Sequence, residues 1–148
     1  MRFRYPMQKI VDWKQNEKSM AEWAYAAALG NLRAEEEKLS RLLREREGLA
    51  RQLEQALSRP TSLARLHQLQ LYLETLDARI REQTDGVRRA RDEMQKRQAQ
   101  LTERMMDEKV WLNAREKAWE RFRLEWQRRE QNELDDLAAV RAARAARG

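Results

Sequence analysis

The stretch LARLHQLQLYLETLDARIREQTDGVRRARDEMQKRQAQL, residues 63–101, decides the fold. Within it Leu66, Leu73, Ile80, Val87, Met94 and Leu101 lie seven residues apart, and Leu69, Leu76, Gln83, Ala90 and Arg97 each follow three residues later. A sustained repeat of this kind draws one narrow apolar stripe along an α-helix and marks a left-handed coiled coil. After Leu101 the next seven-residue series, Met105, Leu112, Trp119 and Trp126, starts four residues on, with Phe122 three after Trp119. That spacing predicts a stutter, which unwinds the supercoil locally and leaves the helix whole.

Toward the N-terminus the stretch is bounded by Ser58-Arg59-Pro60-Thr61-Ser62. Pro60 cannot continue a helical hydrogen-bond ladder and pushes Arg59 out of the α region, while Thr61 or Ser62 can cap the helix that follows. Before the break, Leu32, Leu39, Arg46 and Leu53 lie seven apart, with Leu42, Leu49 and Ala56 three further on. Ile10, Glu17 and Ala24 repeat one residue out of phase with them, so a slip is expected near Gly30. Pro6 suits a first helical turn. The prediction is all-α: helix 1 over about 6–57, a turn at 58–62 and helix 2 over about 63–144, in one coiled-coil domain. A five-residue break folds two such helices back as an antiparallel hairpin. Helix 2 is the longer, and the residues after Leu112 are expected to overhang as a single helix.

Composition agrees. Of 148 residues 38% are charged, and only four are glycine and two proline, too few turn residues for a sheet-rich domain. The charges are near balance, 31 basic against 25 acidic, and the regular apolar spacing argues against disorder. There is no cysteine, hence no disulfide framework, thiolate metal site or cysteine nucleophile. The longest uncharged run, Trp23 to Leu32, is too short to span a bilayer, and no apolar segment follows the basic start, so a cytoplasmic protein without a signal peptide is expected.

No group of residues converges on catalysis. His67 is the only histidine, the glycines are isolated, and the carboxylates Glu35-Glu36-Glu37 point around a helix. No enzyme, cofactor or metal is expected. The net charge of +6 raises nucleic acid as a partner. Yet residues 79–104 interleave acids with their arginines, as on any solvated coiled-coil face, and nucleic-acid binding is not expected. The overhang carries Trp119, Phe122 and Trp126 on one stripe, to be covered by the Phe3–Tyr5 lead or a second copy of the chain, or else to enter a partner.

Three segments carry a family resemblance. The start, Phe3-Arg4-Tyr5-Pro6-Met7-Gln8-Lys9-Ile10-Val11-Asp12-Trp13-Lys14, the stretch Leu71 to Ile80, and the C-terminal Ala114 to Phe122 with Glu130 to Ala138 together resemble the flagellar export protein family FliJ. The resemblance implies a non-catalytic stalk of the flagellar type III export apparatus. Its implied partners are the hexameric export ATPase FliI, the cytoplasmic part of the export gate FlhA, and export chaperones. It would then meet the membrane only through the gate, at the flagellar base. The gate-facing positions implied are Tyr72, Leu76 and Gln83, with Leu42 and Leu49 on helix 1; Glu45 and Leu49 stand where some members carry tyrosines. The candidates for the ATPase ring are Trp119, Arg121, Phe122, Trp126, Arg128 and Arg129. Outside this resemblance stand a homodimeric coiled-coil scaffold and the stalk of a virulence secretion system.

Overall fold

The computed structural model describes residues 2–148 and contains two helices, α1 (Gln8–Leu57) and α2 (Leu63–Arg147), with no strand among the described residues. The protein is all-α. Pro6 lies in the turn before α1 rather than inside it: Tyr5 accepts from the Gln8 N–H at 3.1 Å, and Met7 from Ile10 and Val11. α1 runs without interruption through Gly30 and Gly48, each costing about 1 kcal/mol against alanine. The chain divides into two compact units, residues 20–102 and residues 1–19 with 103–148.

The unit of residues 20–102 is an antiparallel hairpin. Thr61 and Ser62 divide the work of closing it. Ser62 caps α2, its side-chain oxygen accepting from the Arg65 N–H at 3.2 Å. Thr61 instead closes α1, donating to the Ala56 carbonyl at 2.8 Å. Next to the turn, Leu49, Leu69 and Leu76 form a buried cluster flanked by Leu42, Leu53, Ala56 and Leu73. Further along, Leu32 packs with Val87 and Ala90, flanked by Leu39 and Met94. Contacts that pair 49 with 69–76 and 32 with 87–90 are those of helices running in opposite directions.

The slip expected near Gly30 does not occur, and the one expected after Leu101 falls later, past Glu108. On α1 one phase is turned from solvent throughout, Val11, Lys18, Tyr25, Leu32, Leu39, Arg46 and Leu53 with Lys14, Ala21, Ala28, Glu35, Leu42, Leu49 and Ala56 between them, and the half-buried Ile10, Glu17 and Ala24 flank it. On α2 the series from Leu66 continues past Leu101 through Arg104, Glu108 and Trp111, while Met105 is 51% exposed; beyond it Arg115 and Glu125 are exposed and Leu112, Phe122 and Trp126 are half-buried, so the phase shifts there. As far as Trp111 the repeat is unbroken because charged residues fill the positions where a search for apolar side chains reads a gap. Each is met across the seam or shielded at its flank. In the hairpin Arg46 pairs with Asp77, and the Gln83 amide donates to the Glu35 carbonyl at 2.9 Å and carboxylate at 2.6 Å. In the other unit Lys18 lies 3.1 Å from Glu108, Arg104 3.4 Å from Glu17 and Lys14 3.7 Å from Asp107. In the same unit Val11 is wholly buried.

Candidate functional site

Two surfaces hold the candidate residues. The first lies in the hairpin near the turn. Tyr72 is 43% exposed and donates its hydroxyl to the Glu45 carboxylate. That bond, with the negative charge beside it, holds the Tyr72 phenol above the ordinary tyrosine range. Gln83 is half-buried, and its bond to Glu35 lowers that carboxylate below its ordinary value. Leu42, Leu49 and Leu76 stand differently. Leu76 is wholly buried, Leu49 nearly so, and Leu42 packs against the cluster they form with Leu69. As apolar residues at heptad positions they turn into the seam, so with the hairpin closed they support the surface and offer little of it to a partner. The accessible part of this patch is Tyr72, Glu45 and the polar edge at Gln83.

The second surface lies in the unit of residues 1–19 and 103–148. Trp119, Phe122 and Trp126 form a run of rings along α2, the first two stacked with centroids 6.0 Å apart and Trp126 tilted against Phe122 at 6.4 Å. The extended lead before α1 crosses this run. The Phe3 ring sits 5.3 Å from both Trp119, edge-on, and Phe122, and Tyr5 stacks beside Phe3 at 6.4 Å. Aromatic rings favour these offset and edge-on arrangements, since the ring edge is positive and the face negative. The lead thus covers part of the stripe, and the uncovered helix begins later than expected. Trp119 remains 37% exposed, beside a cavity of about 380 Å³ lined by Phe3, Leu112, Arg115 and Glu116. The Trp126 indole donates to Glu130 at 2.7 Å, one turn on.

From Gln127 to the end of α2 every residue is exposed. A helix of this length gains nothing from packing against its own chain. It is held by local terms: the Gln131–Asp135 bond at 3.0 Å, the high propensity of alanine, and Arg144 and Arg147 against the negative end of the helix dipole. Arg121, Arg128 and Arg129 are exposed, and no described carboxylate lies within 4.0 Å of any of them. They are free to pair with an acidic partner.

Among the described residues no three potential ligands group to hold a metal ion, and no helix is long and apolar enough to cross a membrane. Exposed apolar residues outside the expected sites include Trp23 at 80%, Leu63 at 83%, Met20 at 66%, Met106 at 65% and Val110 at 65%. Each stands one residue or more off the seam, and that offset is the signal the sequence carries.

Comparison with known proteins covers the whole of this architecture. The sequence model of the family described as "Flagellar FliJ protein" matches residues 3–147. The chain is 28% identical over 138 residues to the Flagellar FliJ protein of Bacillus subtilis (strain 168), covering 93% of this chain and 94% of that one. Among solved structures it is similar to CT670 of Chlamydia trachomatis, described as a YscO homolog, with a TM-score of 0.58, 22% identity and 94% of each chain covered. At that identity the likeness speaks for the fold.

Proposed function

Because this chain belongs to the flagellar FliJ family, we propose that it is the non-catalytic stalk of the flagellar type III export apparatus and couples the export ATPase ring to the export gate. Membership makes it a component of flagellar protein export; the coupling role is the further step. One observation carries it. α2 continues as a lone, fully exposed helix from Gln127 to Arg147, with the unpaired Arg128 and Arg129 at its start. A single helix with no partner in its own chain suits insertion into an opening in another assembly.

The ring-facing surface is then this helix with Arg121, Trp119, Phe122 and Trp126 at its base, and its partner the FliI hexamer. Contacts through exposed arginines suit a shaft that must not lock in one position, since charge pairs at a solvated surface are long-ranged, salt-sensitive and individually weak. The hairpin patch of Tyr72 and Gln83, backed by Leu42, Leu49 and Leu76, is the surface for the cytoplasmic part of the gate FlhA. Export chaperones are a third class of partner, and ring assembly a further role. The site of action is the cytoplasmic face of the membrane at the flagellar base.

The test is a salt titration of binding to the ATPase hexamer, with Arg128→Glu/Arg129→Glu beside the unaltered chain. The substitution is expected to weaken binding by tenfold or more and to flatten the salt dependence, with helicity unchanged. Unchanged affinity and slope would remove the role of these arginines.

A further inference from the structure

The lone helix from Gln127 to Arg147 carries a pattern that the proposed function does not use. The series Trp119 and Trp126 continues at seven as Glu133, Val140 and Arg147, and Glu130, Leu137 and Arg144 stand four residues after Trp126, Glu133 and Val140. From Glu130 on these six residues share one helix face, as in a heptad seam, and all are exposed, Leu137 at 57% and Val140 at 48%. The face is acidic in its first third, apolar at its centre and basic in its last third. Within the helix these charges do not satisfy one another. Glu130, Glu133 and Asp136 stand three apart, as do Arg141, Arg144 and Arg147, and like charges at that spacing repel. No acid from Glu130 to Asp136 has a basic residue three or four positions after it. Among the described residues no ion pair within 4.0 Å involves a residue beyond Glu108. The negative end of the helix dipole suits Arg144 and Arg147 but gives no reason for the acids.

We infer that this face pairs with the same face of a second copy of the chain, the two helices running antiparallel about a two-fold axis beside Ala138 and Ala139. Glu130 then faces Arg147 of the second copy, Glu133 faces its Arg144, and Leu137 faces its Val140. The symmetry repeats each layer. In an antiparallel coiled coil the first core position of one heptad meets the fourth of the other, and all three layers satisfy that rule in one register. Leu134, 61% exposed, borders the seam, where the apolar stem of Arg141 from the second copy lies over it. Charge selects this occupant. A parallel second copy would set Glu130 on Glu130 and Arg144 on Arg144. An acidic helix of another protein would meet Glu130 and Glu133, and a basic one Arg144 and Arg147. A slip of one heptad either way sets charges against Leu137 and Val140. With two apolar layers and four solvated charge layers the pair is weak and reversible. The pairing belongs to the free chain and does not rest on the proposed function; where a ring takes the helix, the second copy leaves it.

The test is sedimentation equilibrium of the full chain up to millimolar concentration. A concentration-dependent dimer is expected, weakening as salt rises. Glu133→Arg alone and Arg144→Glu alone should each weaken it at least about tenfold, by setting like charges together in two layers. An equimolar mixture of the two variants should pair again, since each charge then meets its opposite. Both positions are exposed, and circular dichroism checks that helicity persists; recovery in the mixture separates lost pairing from a frayed helix. Direction is read from single spin labels, which the absence of cysteine allows. In an antiparallel pair the two copies of Ala146 are offset by about 22 Å along the axis and those of Ala139 by about 2 Å. Labels at Ala146→Cys should therefore lie well further apart than labels at Ala139→Cys. A monomer at every concentration would overturn the inference. So would a dimer that Glu133→Arg leaves intact or that persists in a chain ending at Gln127, a mixture that fails to pair, or equal label distances at the two positions.

Discussion

Lys18 Nζ lies 3.1 Å from the carboxylate of Glu108, and both residues occupy positions at which the seven-residue repeat asks for an apolar side chain. The Glu108 side chain is 13% exposed and that of Lys18 28%. Removing one charge leaves the other largely desolvated and alone, which costs more than the pair contributes. Lys18→Met alone is expected to destabilise the chain by about 1–3 kcal/mol in urea unfolding. The double variant Lys18→Met/Glu108→Leu should recover wild-type stability or exceed it. Two additive losses would show that the residues act separately.

The same pairs explain what was legible in the sequence. The leucine-rich half of α2, from Leu66 to Leu101, announces the hairpin because its heptad positions are apolar, and Pro60 places the turn. Beyond Leu101 and before Leu32 the repeat passes through Arg104, Glu108, Lys18 and Lys14. A reading that searches for apolar residues jumps to the neighbouring Met105 or Ile10, and infers the slip on α2 too early and one on α1 that is absent. The side chain across the seam decides which phase is buried, and that partner is some ninety residues away in sequence. The candidate residues divide on the same ground. Tyr72 and the arginines of the lone helix were legible as surface, whereas Leu49 and Leu76 fit the seam and a partner equally until their burial is seen.

Tyr72 and Leu76, one helical turn apart, should respond oppositely. Leu76→Ala empties a wholly buried site and is expected to cost about 2–5 kcal/mol. Tyr72→Ala removes an exposed ring and one surface hydrogen bond, and should cost about 1 kcal/mol or less while weakening binding of the gate's cytoplasmic part. Thermal melts read the first difference and calorimetric titration the second. A large stability loss in Tyr72→Ala with unchanged gate affinity would make Tyr72 a structural residue.

Phe3 makes two close aromatic contacts, each worth about 0.5–1.5 kcal/mol. Phe3→Ala is expected to redden tryptophan emission and diminish the near-ultraviolet circular dichroism, as water reaches Trp119. The main unfolding transition should hardly move, because the lead touches only the end of its unit. An unchanged spectrum would mean that the lead leaves the stripe in solution.

Acid should loosen the seam at specific places. Arg46 holds Asp77 below its ordinary value, Gln83 does so for Glu35, and the Trp13 indole N–H, ahead of Lys14 and Arg104, does so for Glu17. A carboxyl that ionises more readily when folded adds stability only while it is charged. The contribution is therefore complete above the ordinary carboxylate range and is lost as pH falls through the lower folded values. Tyr72, raised by Glu45, behaves oppositely: its contribution is complete below the ordinary tyrosine range and is lost as pH rises through the higher folded value. The melting temperature should be level between about pH 5 and 9 and fall on both sides. Asp77→Asn should make the acid fall shallower, and an unaltered acid limb would exclude Asp77 from it.

The central claim is that the lone C-terminal helix acts on the export ATPase ring. The most direct measurement is the ATP hydrolysis rate of the FliI hexamer with the full chain and with a chain ending at Gln127, which keeps every buried residue. The account predicts that the full chain raises the rate and the shortened chain, equally helical up to its new end, does not. Equal stimulation by both chains, or none by either, would contradict it.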